Sequence, residues 1–229
     1  TYSNFGDMKM GSHYPKKYPD FGRRSQYIQI GNNADQVLIN EDDRVQRHSR
    51  YKQWDIFQKV RYKPNADNQH ILNIQHSNST NIPRYDRLQD QKVFPGIGNT
   101  LRWAEWYYGP QTRWLSSYEW SNTKNKIVDE LRLIASYQDV KESRQQREYL
   151  AYTRFDSRRE HIKIAALNFD LKEKWGNHEL ILGADGQFNF LRSEADRTNL
   201  LTGAITLLDT RYPNGKNEMH LFGVYGQHL

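Results

Sequence analysis

The sequence predicts an all-β chain, a segment of an antiparallel transmembrane β-barrel with short periplasmic turns and long extracellular loops. Three observations carry this expectation. Apolar and polar residues alternate with period two, several of the runs being longer than ten residues. Short connections rich in Pro, Asn, Asp and Gly alternate with long ones along the whole chain. The chain is 36% hydrophobic with a mean hydropathy of −0.98, thin for one ordinary core, yet 13% of its residues are aromatic, which argues against disorder.

The elements follow in order. A partial first strand lies within 1–10. In 52–62, Trp54, Ile56, Val60 and Tyr62 share a face, with Gln58 interrupting; Gln53, Asp55, Lys59 and Arg61 share the other with Phe57. In 70–77, Leu72 and Ile74 oppose Asn73 and Gln75. In 112–120, Trp114, Tyr118 and Trp120 oppose Arg113, Ser117 and Glu119. In 129–137, Leu131, Leu133, Ala135 and Tyr137 oppose Glu130, Arg132 and Ser136. Strands also fall at about 160–171 and 219–229. Between them, 179–190 alternates most regularly, with Leu180, Leu182, Ala184, Gly186, Phe188 and Phe190 on one side. The short turns are 63–68, 121–126 and 172–177; the long connections are 11–48, 80–101, 141–157 and 192–218. The whole chain, 1–229, reads as part of one barrel domain of about eight strands.

A soluble sandwich also alternates, but its strands run about 5–6 residues, whereas a strand crossing an outer membrane needs about 9–11. A sandwich also has no reason to gather its long loops at one end. In a barrel the polar face lines the lumen and the apolar face meets lipid. The segment 103–120 fits this. It holds seven of the rings, including four of the six tryptophans, beside Glu105, Arg113 and Glu119. Trp and Tyr collect where bilayer meets water. Trp120 would stand at the periplasmic edge, and Trp103, Trp106, Tyr107 and Tyr108 at the outer edge.

Other classes are excluded on composition. There are no cysteines, hence no disulfide, thiolate metal site or thiol nucleophile. The net charge of +6 and pI near 9.3 do not signal nucleic acid, because acids are interspersed and no Lys/Arg block occurs. No signal peptide and no apolar run of 18 residues is present. The start at Thr1 suggests a fragment or a processed chain.

Six segments together resemble TonB-dependent outer-membrane receptors of the Bacteroidetes type: SNFGDMKMG (3–11), YPDFGRR (18–24), IPRYDRL (82–88), AEWYYGPQTRWLSSYEW (104–120), ASYQDVKESRQQR (135–147) and TRYPNGKNEM (210–219). The resemblance covers nearly the whole chain, in order. It implies a 22-stranded barrel in a Gram-negative outer membrane, with a plug domain inside. It also implies import of a scarce ligand of the iron–siderophore, haem or cobalamin class, driven by the TonB complex. Neither plug nor TonB box is found here, so the chain corresponds to a central stretch of barrel wall. The implied partners are a small-molecule ligand at the extracellular loops, the plug, the TonB complex through regions outside this chain, and membrane lipids with lipopolysaccharide.

No enzyme constellation is found, and no cofactor or metal is expected. His70 and His76 share a strand face but read as interface histidines. Gly96–Gly98 reads as a turn, and the sequon at Asn78 carries no weight in this compartment. The candidate ligand-binding residues are Arg84, Tyr85 and Arg87 at a strand-to-loop exit, and Arg144 and Arg147 in a long loop that also holds Arg154, Arg158 and Arg159. Guanidinium groups clamp carboxylates and phosphates, and Tyr85 could stack on a flat ligand. The competing reading pairs these arginines with neighbouring acids or with lipopolysaccharide phosphates. Asp55, Lys59, Arg61, Glu119, Glu130 and Arg132 are expected on the lumenal face. Two alternatives are a closed eight-stranded barrel for adhesion or membrane integrity, whose ends must pair, and a soluble β-sandwich carbohydrate-binding module.

Overall fold

In the computed structural model, residues 1–11, 19–31, 34–124 and 127–229 are described. Tyr18 of the segment 18–24, and Asn125 and Lys126 of the turn at 121–126, lie outside them. The chain is all-β. Its strands are β1 (Tyr2–Phe5), β2 (Gln26–Gln29), β3 (Gln36–Ile39), β4 (Tyr51–Tyr62), β5 (Asn68–Ser79), β6 (Ile82–Pro83), β7 (Gln91–Phe94) and β8 (Gly98–Leu101). They continue as β9 (Trp103–Tyr108), β10 (Thr112–Thr123), β11 (Glu130–Glu148), β12 (Phe155–Trp175), β13 (His178–Thr198), β14 (Ile205–Leu207) and β15 (Gly215–His228).

Eight strands make one antiparallel wall in the order β1-β4-β5-β10-β11-β12-β13-β15. Successive strands of the wall are neighbours in the sheet, joined by short turns or by long connections that carry the smaller strands. Register carries the period-two pattern across the wall. One row reads Val60, Leu72, Tyr118, Ala135, Leu167, Gly186, Phe222. The adjacent row on the opposite face reads Arg61, Ile71, Glu119, Ile134, Asn168, Asp185, Gly223. A one-residue slip would exchange the two faces, so the pattern fixes the register.

Among the described residues no second sheet covers the apolar face, and Leu167, Phe169, Phe222 and Val224 are exposed on it. A two-layer sandwich is therefore not formed. Nor do the sheet's two edges meet, since β15 pairs only β13 and β1 pairs only β4, so these residues do not close an eight-stranded barrel. They form an open stretch of wall.

The strands extend further than the alternation predicts. β11 has 19 residues, β12 and β13 have 21 each. The connection expected at 141–157 shrinks to 149–154, and the turn expected at 172–177 to Gly176 and Asn177. Arg144, Arg147, Arg158 and Arg159 thus stand on strands rather than in a loop. Beyond the apolar band the side chains are polar on both faces, so alternation vanishes although the backbone ladder continues. At the lower end Lys172 and Lys174 each reach Glu179 across the hairpin, at 2.9 Å.

The packed interior lies at the long-loop end. There the β2–β3 and β7–β8 hairpins fold over the wall, and Ile28, Leu101 and Ala104 form a small core with Val37 and Tyr149. Gly96 and Gly98, both at positive φ, make the β7–β8 turn, as the sequence suggests.

Candidate functional site

The polar face at the long-loop end is organised by a break between β9 and β10. Both strands pair with β11, Tyr108 opposite Arg144 and Thr112 opposite Lys141. Three residues (109–111) thus face two (142–143), a β-bulge that exchanges the faces above it. Gly109 supplies the positive φ of 93°, its N–H donates to the Ser143 carbonyl at 2.9 Å, and the Ser143 hydroxyl donates to the Gly109 carbonyl at 2.7 Å. Below the bulge Trp114 and Tyr118 lie on the apolar face. Above it, Trp106 and Tyr108 lie on the polar face with Arg144 and Gln146, so these two rings do not belong to the outer aromatic edge as expected. Trp106 is buried.

This places Arg84 and Arg144 on either side of Tyr108. Short β6 pairs with Tyr107 and Tyr108 of β9, and the Arg84 backbone N–H donates to the Trp106 carbonyl at 2.9 Å. The Arg84 guanidinium lies over Trp106 and Tyr108, 5.1 and 5.6 Å from the ring centres. It donates to the Tyr108 hydroxyl at 3.2 Å and clasps both Asp86 oxygens at 2.8 and 2.6 Å. The Asp86 hydrogen bond raises the Arg84 pKa, and the same bond lowers that of Asp86. Arg144 stands opposite both Tyr108 and Arg158 in register, and its Nε is buried without a hydrogen-bond partner. Such a donor is costly unless something accepts from it. Next along the rim, Arg197 forms a two-pronged pair with Asp156 at 2.6 and 2.9 Å.

The other candidates are placed differently. Tyr85 is exposed beside Arg84. Arg87 pairs loosely with Asp90 at 3.4 Å. Arg147 is only 2% exposed; it grips Asp35 at 2.6 and 3.0 Å and Glu105 at 2.7 Å, tying the β2–β3 hairpin to the wall. Tyr108 and Asp35 have no place as partners in the sequence reading, whereas Asp86 is one of the neighbouring acids it pairs with these arginines. The Gly109-Pro110 dipeptide was the available signal for the first, as a turn marker inside a strand. Asp35 lies 112 residues from Arg147 and has no local signal.

His70 and His76 stand on the apolar face. His70 stacks between Tyr62 and Tyr118, with Nδ1 2.7 Å from the Tyr118 hydroxyl. His76 lies between Trp54 and Trp114, 4.6 and 5.4 Å from their centres. A third ring group, Trp175, His178 and His228, stacks at the short-turn end. Among the described residues no three of His, Asp and Glu are grouped to hold a metal.

No protein-family profile and no curated protein sequence matches the chain. Among solved structures, the copper transporter OprC matches over 78% of this chain, with a TM-score of 0.56 and 13% identity. The matched part is 26% of that structure, so the chain spans about a quarter of its length. At this identity the likeness is one of fold.

Proposed function

We propose that the chain is a stretch of barrel wall from a TonB-dependent transporter in the outer membrane of a Gram-negative bacterium. The observation that carries this is the uncovered apolar face bounded by two belts of rings. Tyr62, His70 and Tyr118 lie toward the short turns, and Trp54, His76 and Trp114 toward the long loops. His70 and His76 are six residues apart on β5, roughly 20 Å at ~3.4 Å per residue. That is close to the ~25 Å apolar band of such barrels with its aromatic girdles. In water this face would be an aggregation hazard; in a bilayer it is in its own solvent.

The long-loop end then faces outside, and its polar face is the mouth. Arg84, Tyr85, Arg87 and Arg144 offer cations and rings to an anionic small molecule. Arg147 supports them by holding the hairpin above. The lower polar face, with Asp55, Lys59, Arg61, Glu119, Glu130 and Arg132, faces the plug, and the TonB complex acts through regions outside this chain. The segment resemblance, of the Bacteroidetes type, directs the ligand class to ferric siderophores, haem or cobalamin in a barrel of 22 strands.

Uptake by cells carrying the full-length protein tests this. Ferric siderophore, haem and cobalamin are supplied singly, with and without an uncoupler of the proton-motive force. One should enter in an energy-dependent way, and Arg84→Ala with Arg144→Ala should lower its binding by about tenfold, as lost charge-assisted contacts imply. Recovery of the wild-type protein in the soluble fraction without detergent would overturn the reading.

A further inference from the structure

On the polar face, at and just below the level of Tyr108, register sets like charge against like. Arg144 on β11 stands opposite Arg158 on β12, and one row nearer the short-turn end Glu142 stands opposite Glu160. On β13 the two rows continue to Ala195 and to Ser193. Like charges directly opposite one another weaken a sheet. The backbone does not impose this arrangement, since one row higher β12 and β13 set Asp156 opposite Arg197, paired at 2.6 Å.

The two signs do not pair along the diagonals either. The charges around Glu160 are Glu142, Arg144, Arg158 and, from the connection 208–214, Arg211. Among the described residues Glu142, Arg144, Arg158 and Glu160 make no ion pair and no side-chain hydrogen bond. Yet Glu160 is only 7% exposed, and Ser193 is fully buried. Arg144 Nε, Arg158 Nη1 and Ser193 Oγ are three of the six buried side-chain atoms that have no hydrogen-bond partner among the described residues, so the deficit is concentrated here. Such groups are costly unless a bound molecule engages them. Directly below, still on the polar face, the next row is apolar: Val140, Ile162 and Leu191, each half-buried. Three successive rows thus run cationic, anionic, apolar. Rows on one face are two residues apart, roughly 7 Å, which is about the reach of a dipeptide from end to end.

We infer that these rows bind a zwitterionic peptide end group, its carboxylate on Arg144 and Arg158, its ammonium on Glu142, Glu160 and the Ser193 hydroxyl, and an apolar side chain on Val140, Ile162 and Leu191. A simple anion would answer only the arginines, and a simple cation only the glutamates. Haem, with carboxylates and no ammonium, would leave the glutamates unanswered. The same end group occurs on a free short peptide and on a ferric siderophore built from amino acids. The inference rests on the transporter reading above, which puts this face at the mouth, and it deepens that reading by giving the ligand both charges beside an apolar side chain.

The experiment is calorimetric titration of the full-length protein in detergent. The peptide probes are dileucine, N-acetyl-dileucine, dileucine amide and diglycine. The chelate probes are ferrioxamine B acylated with succinate, which ends in a carboxylate, and ferrioxamine B acylated with the side-chain carboxyl of aspartate, which ends in a carboxylate and an ammonium. In one set or the other, the probe with both charges should bind about tenfold tighter or more than those lacking a charge or the apolar side chains. Preference within the peptides assigns a free peptide; preference within the chelates alone assigns a siderophore. Glu160→Gln should remove the advantage of the ammonium and keep that of the carboxylate, and Arg158→Gln should do the reverse. Exchange protection of β11, β12 and β13 checks that both variants stay folded. If neither set shows the preference, or if both variants leave it unchanged, the site is overturned. Membrane fractionation separates this from failure of the transporter reading. Wild type in the outer membrane without the preference overturns the site alone, whereas wild type missing from that membrane overturns the transporter reading while the titration still decides the site.

Discussion

The Tyr225 ring lies over Gly183, so close that a Cβ on Gly183 would sit 2.2 Å from it. The two residues face each other in register on β13 and β15, and Asp170 on β12 is the next in the same row. The missing side chain lets the tyrosine cross a whole strand, where its hydroxyl donates to the Asp170 carboxylate. An aromatic ring laid across a cross-strand glycine restores the contact area the glycine lacks.

Gly183→Val should therefore displace the ring and destabilise the wall by about 1–3 kcal/mol, the usual cost of overpacking. In the background of Tyr225→Ala the same substitution should cost far less. Denaturant unfolding of the four proteins in micelles measures the coupling; additive losses would show that the contact is not what constrains Gly183.

Arg147 makes a second testable case, because it is buried between two carboxylates. Arg147→Ala leaves Asp35 and Glu105 uncompensated, and breaking a buried pair costs roughly 3–5 kcal/mol. The loss should be local. Hydrogen exchange should rise in β2, β3 and their loop while β12 and β13 stay protected. Arg147→Lys should rescue little, since an ammonium cannot make the two-pronged contact with Asp35.

The hairpins folded over the long-loop end, with residues 40–50 that lead from β3 to β4, form a cap, and His48 gives it a pH dependence. It stacks edge-on with Tyr27, 5.5 Å between centres, and burial, aided by the Arg24 charge, pulls its pKa below the ordinary 6.5. A folded-state pKa below the unfolded one means that the unfolded chain binds the extra proton first. The stability His48 contributes is complete above about pH 6.5 and is lost as pH falls below it. Exchange protection of the cap should fall over that window, and His48→Asn, which tolerates the φ of 63° there, should flatten the response.

How far the sequence discloses all this differs between wall and cap. The faces of β4, β5, β10, β11 and β13 follow from alternation, because among the described residues no protein layer covers the apolar side and every second residue meets the same surroundings. Charges end that signal at Lys141 and Arg192, while the backbone ladder, blind to side chains, runs on to Glu148 and Thr198. Hence the alternation predicts a shorter β11 and β13 and puts Arg144 and Arg147 in a loop. The cap is held by contacts such as Asp35 with Arg147 that no periodicity announces. Arg84 and Arg144 could be named from their chemistry, but not their meeting at Tyr108, which depends on one extra residue in a bulge.

That bulge can be tested at Gly109. Its φ of 93° is strained for any L side chain, and a Cβ there would meet the Thr80 carbonyl oxygen at 3.0 Å and the Gln111 nitrogen at 3.2 Å. Gly109→Ala should cost about 1–2 kcal/mol from the left-handed conformation alone. The greater effect should be functional. Without the bulge Trp106 and Tyr108 would turn to the apolar side, Arg84 would lose its aromatic seat, and Arg144 its neighbour across the ladder. Ligand binding by cells should then fall far more than micelle stability does. Deleting Gln111, which removes the extra residue outright, should abolish binding while β11, β12 and β13 keep their exchange protection. Retained binding in that deletion would show that the face exchange at Gly109 is not what assembles the mouth.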